Sequence, residues 1–176
     1  ANTPIEKALG EAYTRGVPIC GTSAGSSLLC KVMMGGYNDP YDRDTALVPQ
    51  AVEVWNTSER RGLGFGIQNA ILDQHFFQRS RMARLLNAII RPEVPHVGIG
   101  LDAYTGAFVR GGTLIDNVFG LYTVAILDGA TYDSARAAGF RGTGGTLSVR
   151  NVLVHLLAPG KFTYDLHKRR HSLGPV

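Results

Sequence analysis

The stretch Val17-Pro18-Ile19-Cys20-Gly21-Thr22-Ser23-Ala24-Gly25-Ser26 decides the fold. Val17 to Cys20 is a short apolar run and reads as a buried strand. Gly21 to Gly25 is a glycine-bounded turn. Ser26 to Met34 then reads as a helix closed by Gly35-Gly36. Strand, sharp turn and helix in succession mark an α/β chain. The pentapeptide has the form G-x-S-x-G, in which a tight strand-to-helix turn strains the central serine and exposes its hydroxyl. The helix start behind it presents free N–H groups and a partial positive charge, which suit a developing oxyanion. Ser23 is therefore the candidate nucleophile, with Gly21, Ala24 and Gly25 as elbow and oxyanion residues.

Outward from this stretch the pattern continues. Pro4 to Tyr13 reads as a helix, capped by Thr3 and ended by Gly16. Tyr37 to Pro49 is a polar surface loop. Ala51 to Trp55 reads as a strand and Gly62 to Gly66 as a second glycine loop. Ala70 to Gln74 is a strand, and Arg79 to Ile90 an amphipathic helix with Met82, Leu85, Leu86, Ile89 and Ile90 on one face. His96 to Leu101 is another buried strand. Ala107–Arg110 and Thr113–Ile115 pair around Gly111-Gly112. Val118 to Leu127 reads as one further strand, and Ala130 to Gly145 as a glycine-rich loop. Leu147 to Leu157 fits strand and helix equally. Short apolar strands alternating with helices predict a mostly parallel sheet.

Composition narrows the class. The 176 residues fit one domain with a core of its own. No apolar run reaches the ~18–20 residues of a membrane helix, so no membrane is expected as partner. The two cysteines, Cys20 and Cys30, form neither a zinc-ligand set nor a disulfide framework. No metal or cofactor is expected. The net charge of +4 is concentrated at Lys161 and Lys168-Arg169-Arg170, and reads as a solvated basic terminus. Basic residues interleaved with aromatics are lacking, so nucleic acid is set aside.

A nucleophilic serine needs a base. His75 follows the strand Ala70–Gln74, at the sheet edge where ligands bind in open α/β folds and where Ser23 sits. His96 opens a strand and belongs to the opposite edge. His155 lies in an apolar run, and His167 and His171 in the basic tail. Edge placement favours His75.

Gly16-Val17-Pro18-Ile19 before Gly21–Gly25, Gly62-Leu63-Gly64-Phe65, Asp73-Gln74-His75-Phe76, Arg79-x-Arg81-x-x-Arg84-Leu85 and His96–Asp102 follow one another in order. Together they resemble the cyanophycinases and the peptidase E group of serine peptidases. The resemblance runs over roughly 1–109, and more loosely to Leu157. It implies a flavodoxin-like three-layer sandwich related to class I glutamine amidotransferases. It also implies a serine-type exopeptidase or β-aspartyl peptidase, acting on a peptide or isopeptide through Ser23 with His75 as base. Asp73, Gln74, Arg79, Arg81 and Arg84 match the family's substrate pocket. Guanidinium groups suit a carboxylate-rich substrate, although an arginine paired with a nearby acid would only hold the helix.

Two departures stand out. The family's third triad residue is a glutamate, and that position here is Ala103. Asp102 is the adjacent candidate acid, but neighbouring strand residues point to opposite faces. A catalytically impaired relative acting as a binding protein is thus a second reading. The other departure is that family members begin with further strands, so the chain is expected to be the C-terminal part of such a domain. An N-terminal fragment or chain would complete its sheet, with a homodimer as the assembly to test. A third reading is an α/β-hydrolase esterase with the order Ser23, Asp128, His155.

Overall fold

The computed structural model describes residues 1–129 and 145–173. The expected glycine-rich loop at Ala130–Gly145 falls almost entirely outside the described residues. Helix α1 (Pro4–Thr14) forms as the sequence dictates: Thr3 Oγ1 accepts the Glu6 N–H at 3.2 Å, and Pro4 sits in the first turn. No residue of α1 is buried. It is tied down by the Glu6–Arg61 ion pair at 2.5 Å. That guanidinium and the Gly64 N–H hold the Glu6 carboxyl down at about 2, well below its ordinary value. Helix α2 (Ala24–Ser27) follows the elbow, then the antiparallel hairpin β1 (Met33–Tyr37) and β2 (Val52–Trp55).

The central sheet contains β3 (Ile71–Gln74), β4 (Val97–Leu101), β7 (Val124–Asp128) and β8 (Leu153–Leu157), in the order β3-β4-β7-β8. A second sheet has the order β10-β9-β6-β5, built from β5 (Thr105–Arg110), β6 (Leu114–Gly120), β9 (Phe162–Asp165) and β10 (Arg170–Leu173). Strands β3, β4 and β7 of the central sheet are buried on both faces, whereas the edge strand β8 is largely exposed. Leu72, Ile99 and Ile126 face one core with Ile115, Val118, Tyr164 and Leu166 of the second sheet and its flanks. Ile71, Ala125 and Leu127 face the other, against Leu85, Ala88 and Ile89 of α3 (Met82–Ile89) and Met34 and Val52 of the hairpin. The two-residue period of a strand sends neighbours to opposite cores. The result is three layers: helix with hairpin, mixed sheet, antiparallel sheet.

Several expectations are corrected. The central sheet is not mostly parallel: only β3 and β4 run parallel, while β4–β7 and β7–β8 are antiparallel. Strands buried on both faces read as continuous apolar runs in either direction. Helix α3 supplies the crossover for β3 and β4. From β4 to β7 the chain instead returns through the β5–β6 hairpin, so β7 enters reversed. The single strand expected over Val118–Leu127 breaks where the chain changes sheets. Gly120 has φ +110, and a Cβ there would lie 2.1 Å from the Tyr104 carbonyl oxygen.

The helix expected over Ser26–Met34 ends at Ser27, and Gly35-Gly36 lie inside β1. Trp55 explains this locally, since its indole covers Gly35 where a Cβ would be 2.6 Å away. Val17–Cys20 is not a strand and is not buried: Val17 is 46% exposed. No described strand pairs with it, and without a ladder an apolar run cannot settle as sheet. The basic tail is part of the fold. It forms the β9–β10 hairpin, whose turn is fixed by the Asp165 carboxylate accepting the His167 and Lys168 N–H groups. No helix among the described residues is long and apolar enough to cross a membrane.

Candidate active site

Ser23 stands at φ 52, ψ −127, a conformation costly for any residue with a side chain. The turn closes by Gly25 N–H to the Thr22 carbonyl and Ser26 N–H to the Ser23 carbonyl, both 2.9 Å. The Ser26 hydroxyl donates to the Ser23 carbonyl at 2.6 Å. The two glycines turn out to be unequal. A Cβ on Gly21 would lie 2.1 Å from the Gly25 carbonyl oxygen and 2.5 Å from its carbon, whereas one on Gly25 would meet nothing within 4 Å. Gly21→Ala is therefore expected to cost about 1–3 kcal/mol through forced backbone movement. Gly25→Ala should leave the denaturation midpoint within error. Equal midpoints for the two variants would refute this account of the elbow.

Ser23 Oγ lies 3.2 Å from His75 Nε2. His75 directly follows β3 and has φ 48. The strand ends at Gln74, and this left-handed residue turns the imidazole toward the elbow. The imidazole pKa is lowered from its ordinary value, first by desolvation and then by the Arg79 and Arg81 guanidiniums, against the pull of Asp73. Among the described residues no hydrogen-bond partner meets its other ring nitrogen, Nδ1.

Asp102 does not reach His75. Its Oδ1 accepts the Phe77 N–H at 3.0 Å, and its Oδ2 accepts the Thr123 hydroxyl at 2.9 Å and the Thr123 N–H at 3.2 Å. It fastens the segment after His75 to the start of β7. Ala103 lines the same recess as His75 and Thr22. Its N–H donates to Gln78 Oε1 at 3.0 Å.

The candidate pocket residues separate into two groups. Asp73 is fully buried, and its two oxygens accept Arg84 Nε and Nη2, both at 2.6 Å. Arg81 Nη1 is 3.5 Å from Asp73 and donates to the Gln74 carbonyl at 2.5 Å. Arg84 also lies over the Tyr37 ring at 5.0 Å. These three charges hold α3 to β3. Arg79 is exposed, adds positive potential at His75, and has no ion pair among the described residues. Gln74 lines the cleft with its Oε1 buried and unpartnered.

Ser23, His75 and Gln74 open onto a cleft of about 370 Å³ between the elbow segment and the second sheet. Its walls are mainly apolar, including Phe65, Ile67, Leu72, Ile99 and Ile115. The esterase arrangement is not assembled. The His155 ring lies 5.3 Å from those of Tyr164 (tilted) and His171 (edge-on), on β8 at the far edge of the central sheet from β3. Asp128 lies 3.7 Å from Arg169. Sequence reasoning missed Thr22, Tyr104 and Phe119, which frame the recess over His75. Tyr104 and Phe119 reach it only through the fold of the β5–β6 hairpin, so no local pattern marks them.

No protein-family model matches the chain. It is 35% identical over 162 residues, 91% of its length, to a cyanophycinase of Geminocystis herdmanii. It is 31% identical over 172 residues to one of Trichormus variabilis and 33% identical over 176 residues to one of Synechococcus elongatus. These matches cover 54%, 52% and 49% of the relatives, so the chain spans about half the length of the curated relatives it matches. Identity at this level across nearly the whole chain makes it a relative of the cyanophycinases.

Proposed function

We propose that the protein is a serine-type hydrolase of peptide or β-aspartyl bonds, with Ser23 as nucleophile and His75 as base. The observation that carries this reading is the 3.2 Å Oγ–Nε2 contact made from a strained elbow. His75 takes the hydroxyl proton as Ser23 Oγ attacks the carbonyl carbon. The same proton then passes from His75 to the leaving amine, and water releases the acyl group by the reverse sequence. Gly25 N–H is occupied by Thr22, and the four-residue α2 offers little dipole, so the Ala24 N–H is the elbow donor left for the oxyanion. Arg79 is the cation available to a substrate carboxylate. Gln74 Oε1 is an acceptor for a substrate N–H.

Turnover of a β-aspartyl dipeptide and its α-linked isomer tests this reading. Ser23→Ala should lower it at least 10³-fold, and an unchanged rate would refute it. The base works only as neutral imidazole, so the rate should rise with pH to a plateau. Because the His75 pKa is lowered, the midpoint should fall below the ordinary imidazole value. Arg79→Ala removes a neighbouring cation and should move that midpoint upward, and a midpoint that stays put or falls would contradict the cause assigned here.

Ala103, and an Nδ1 that meets no partner among the described residues, favour a second reading, a relative that binds its peptide and turns it over slowly. The flavodoxin-like description of the fold and the placement of the chain as the C-terminal part of a longer domain belong to this proposal too. Helix α1 buries no residue, Val17–Cys20 lacks a ladder, and β3 has an open edge among the described residues. This uncovered face is where a complementary fragment would pack, and a homodimer is the other assembly to test.

A further inference from the structure

Strand β5 is the outer strand of the second sheet and pairs only with β6 among the described residues. Its open edge is unguarded. The strand reads Thr105-Gly106-Ala107-Phe108-Val109-Arg110, without proline and without a charge before its last residue. Natural edge strands are usually protected by such features or by a bulge, and here the register shift comes late, between Phe108 and Val109. Thr105 to Val109 all line the cleft that holds Ser23 and His75. The start of the strand also shares a second recess with Thr22 and His75.

The hydrogen-bonding direction follows from the register. Ala107 stands opposite Val118. Val118 gives its N–H to the Gly160 carbonyl at 3.2 Å and receives the Gly160 N–H at 2.8 Å, so both its backbone groups face away from β5. Ala107 and Val118 are thus a non-hydrogen-bonded pair, and Ala107 directs its own N–H and C=O to the open edge. Thr105, two residues earlier, points the same way. A donor and acceptor pair therefore recurs along the cleft wall beginning next to His75.

We propose that the open edge of β5 receives the substrate main chain: an extended peptide adds to it as a further strand, with its reacting bond at the Tyr104 end beside Ser23. Main-chain bonds of this kind give affinity largely independent of sequence, and pockets for alternate side chains give selectivity. The apolar wall formed by Ile67, Leu72 and Ile99 would take side chains directed into the cleft. The proposal rests on the reading of Ser23 and His75 as the hydrolytic pair and adds how the peptide lies.

The test uses Ser23→Ala protein and a dye-labelled, capped hexapeptide of alanine, valine and one central aspartate, N-methylated at one position at a time. Anisotropy should show binding weakened about tenfold by methylation at every second position and little changed between them. Ala107→Pro removes the outward N–H without touching the β6 ladder. If its thermal midpoint shows it folded, it should weaken the unmethylated peptide by about tenfold. If it does not fold, the methylation pattern on the unaltered edge is the deciding result. Loss of affinity without alternation, absence of binding, or full affinity in folded Ala107→Pro would overturn the proposal. Alternation together with failure of a fluorophosphonate to label Ser23 of the unaltered protein would support the edge and refute the hydrolase reading. Labelling without alternation would do the reverse.

Discussion

Asp73→Ala is expected to destabilise the protein by about 3–5 kcal/mol, the cost of breaking a buried ion pair from one side. Asp73 is fully buried, and it receives two bonds from Arg84, the Gln74 N–H at 2.8 Å and the charge of Arg81. Arg84 is itself only 5% exposed, so the variant leaves a cation in the interior with no carboxylate to meet it. For a domain of this size the loss corresponds to a melting midpoint lower by about 6–20 °C. Asp73→Asn keeps the volume and most of the packing, and should lose a comparable amount if charge is the cause. Calorimetry or urea denaturation reads both. A loss under about 1 kcal/mol would return Asp73 and Arg84 to the substrate pocket.

Ala103→Glu is expected to raise the rate of acylation at Ser23 by about 10²–10⁴-fold. His75 carries Ser23 on Nε2 and has nothing on Nδ1 among the described residues. An imidazole without an acid partner is free to adopt the wrong tautomer, and loss of that partner's function costs a serine protease about 10⁴ in rate. Residue 103 lines the same recess as His75, and Asp102 is held by Phe77 and Thr123. A carboxylate at 103 would also stabilise the imidazolium, so the acid limb of the pH profile should move upward with the gain in rate. Both changes together identify an orienting acid. A rate gain with an unmoved limb would point to some other effect of the substitution. No gain at all would mean that the glutamate does not reach Nδ1.

The parts of this protein that were legible in its sequence are those fixed by local chemistry. Ser23 sits in a glycine-bounded turn and His75 directly follows β3. The two meet across 52 residues, although the apolar run before Ser23 forms no strand. Strands β3 and β4 and helix α3 were visible for a similar reason, since their periodicity comes from burial. What was not legible depends on partners distant in sequence. The direction of β7 is set by a hairpin excursion into a second sheet. Residues 17–20 have the composition of a strand, yet no described strand pairs with them. The roles of Asp73, Arg81 and Arg84 could not be divided from that of Arg79 by spacing alone, because burial decides which guanidiniums are already paired.

The central claim is that Ser23 is a nucleophile activated by His75. It is tested most directly by incubating the protein with a fluorophosphonate and locating the adduct by mass spectrometry. One adduct, on Ser23, is predicted, with a labelling rate at least a hundredfold lower in His75→Ala. An adduct on another residue, or labelling of Ser23 at the same rate without the imidazole, would contradict the account.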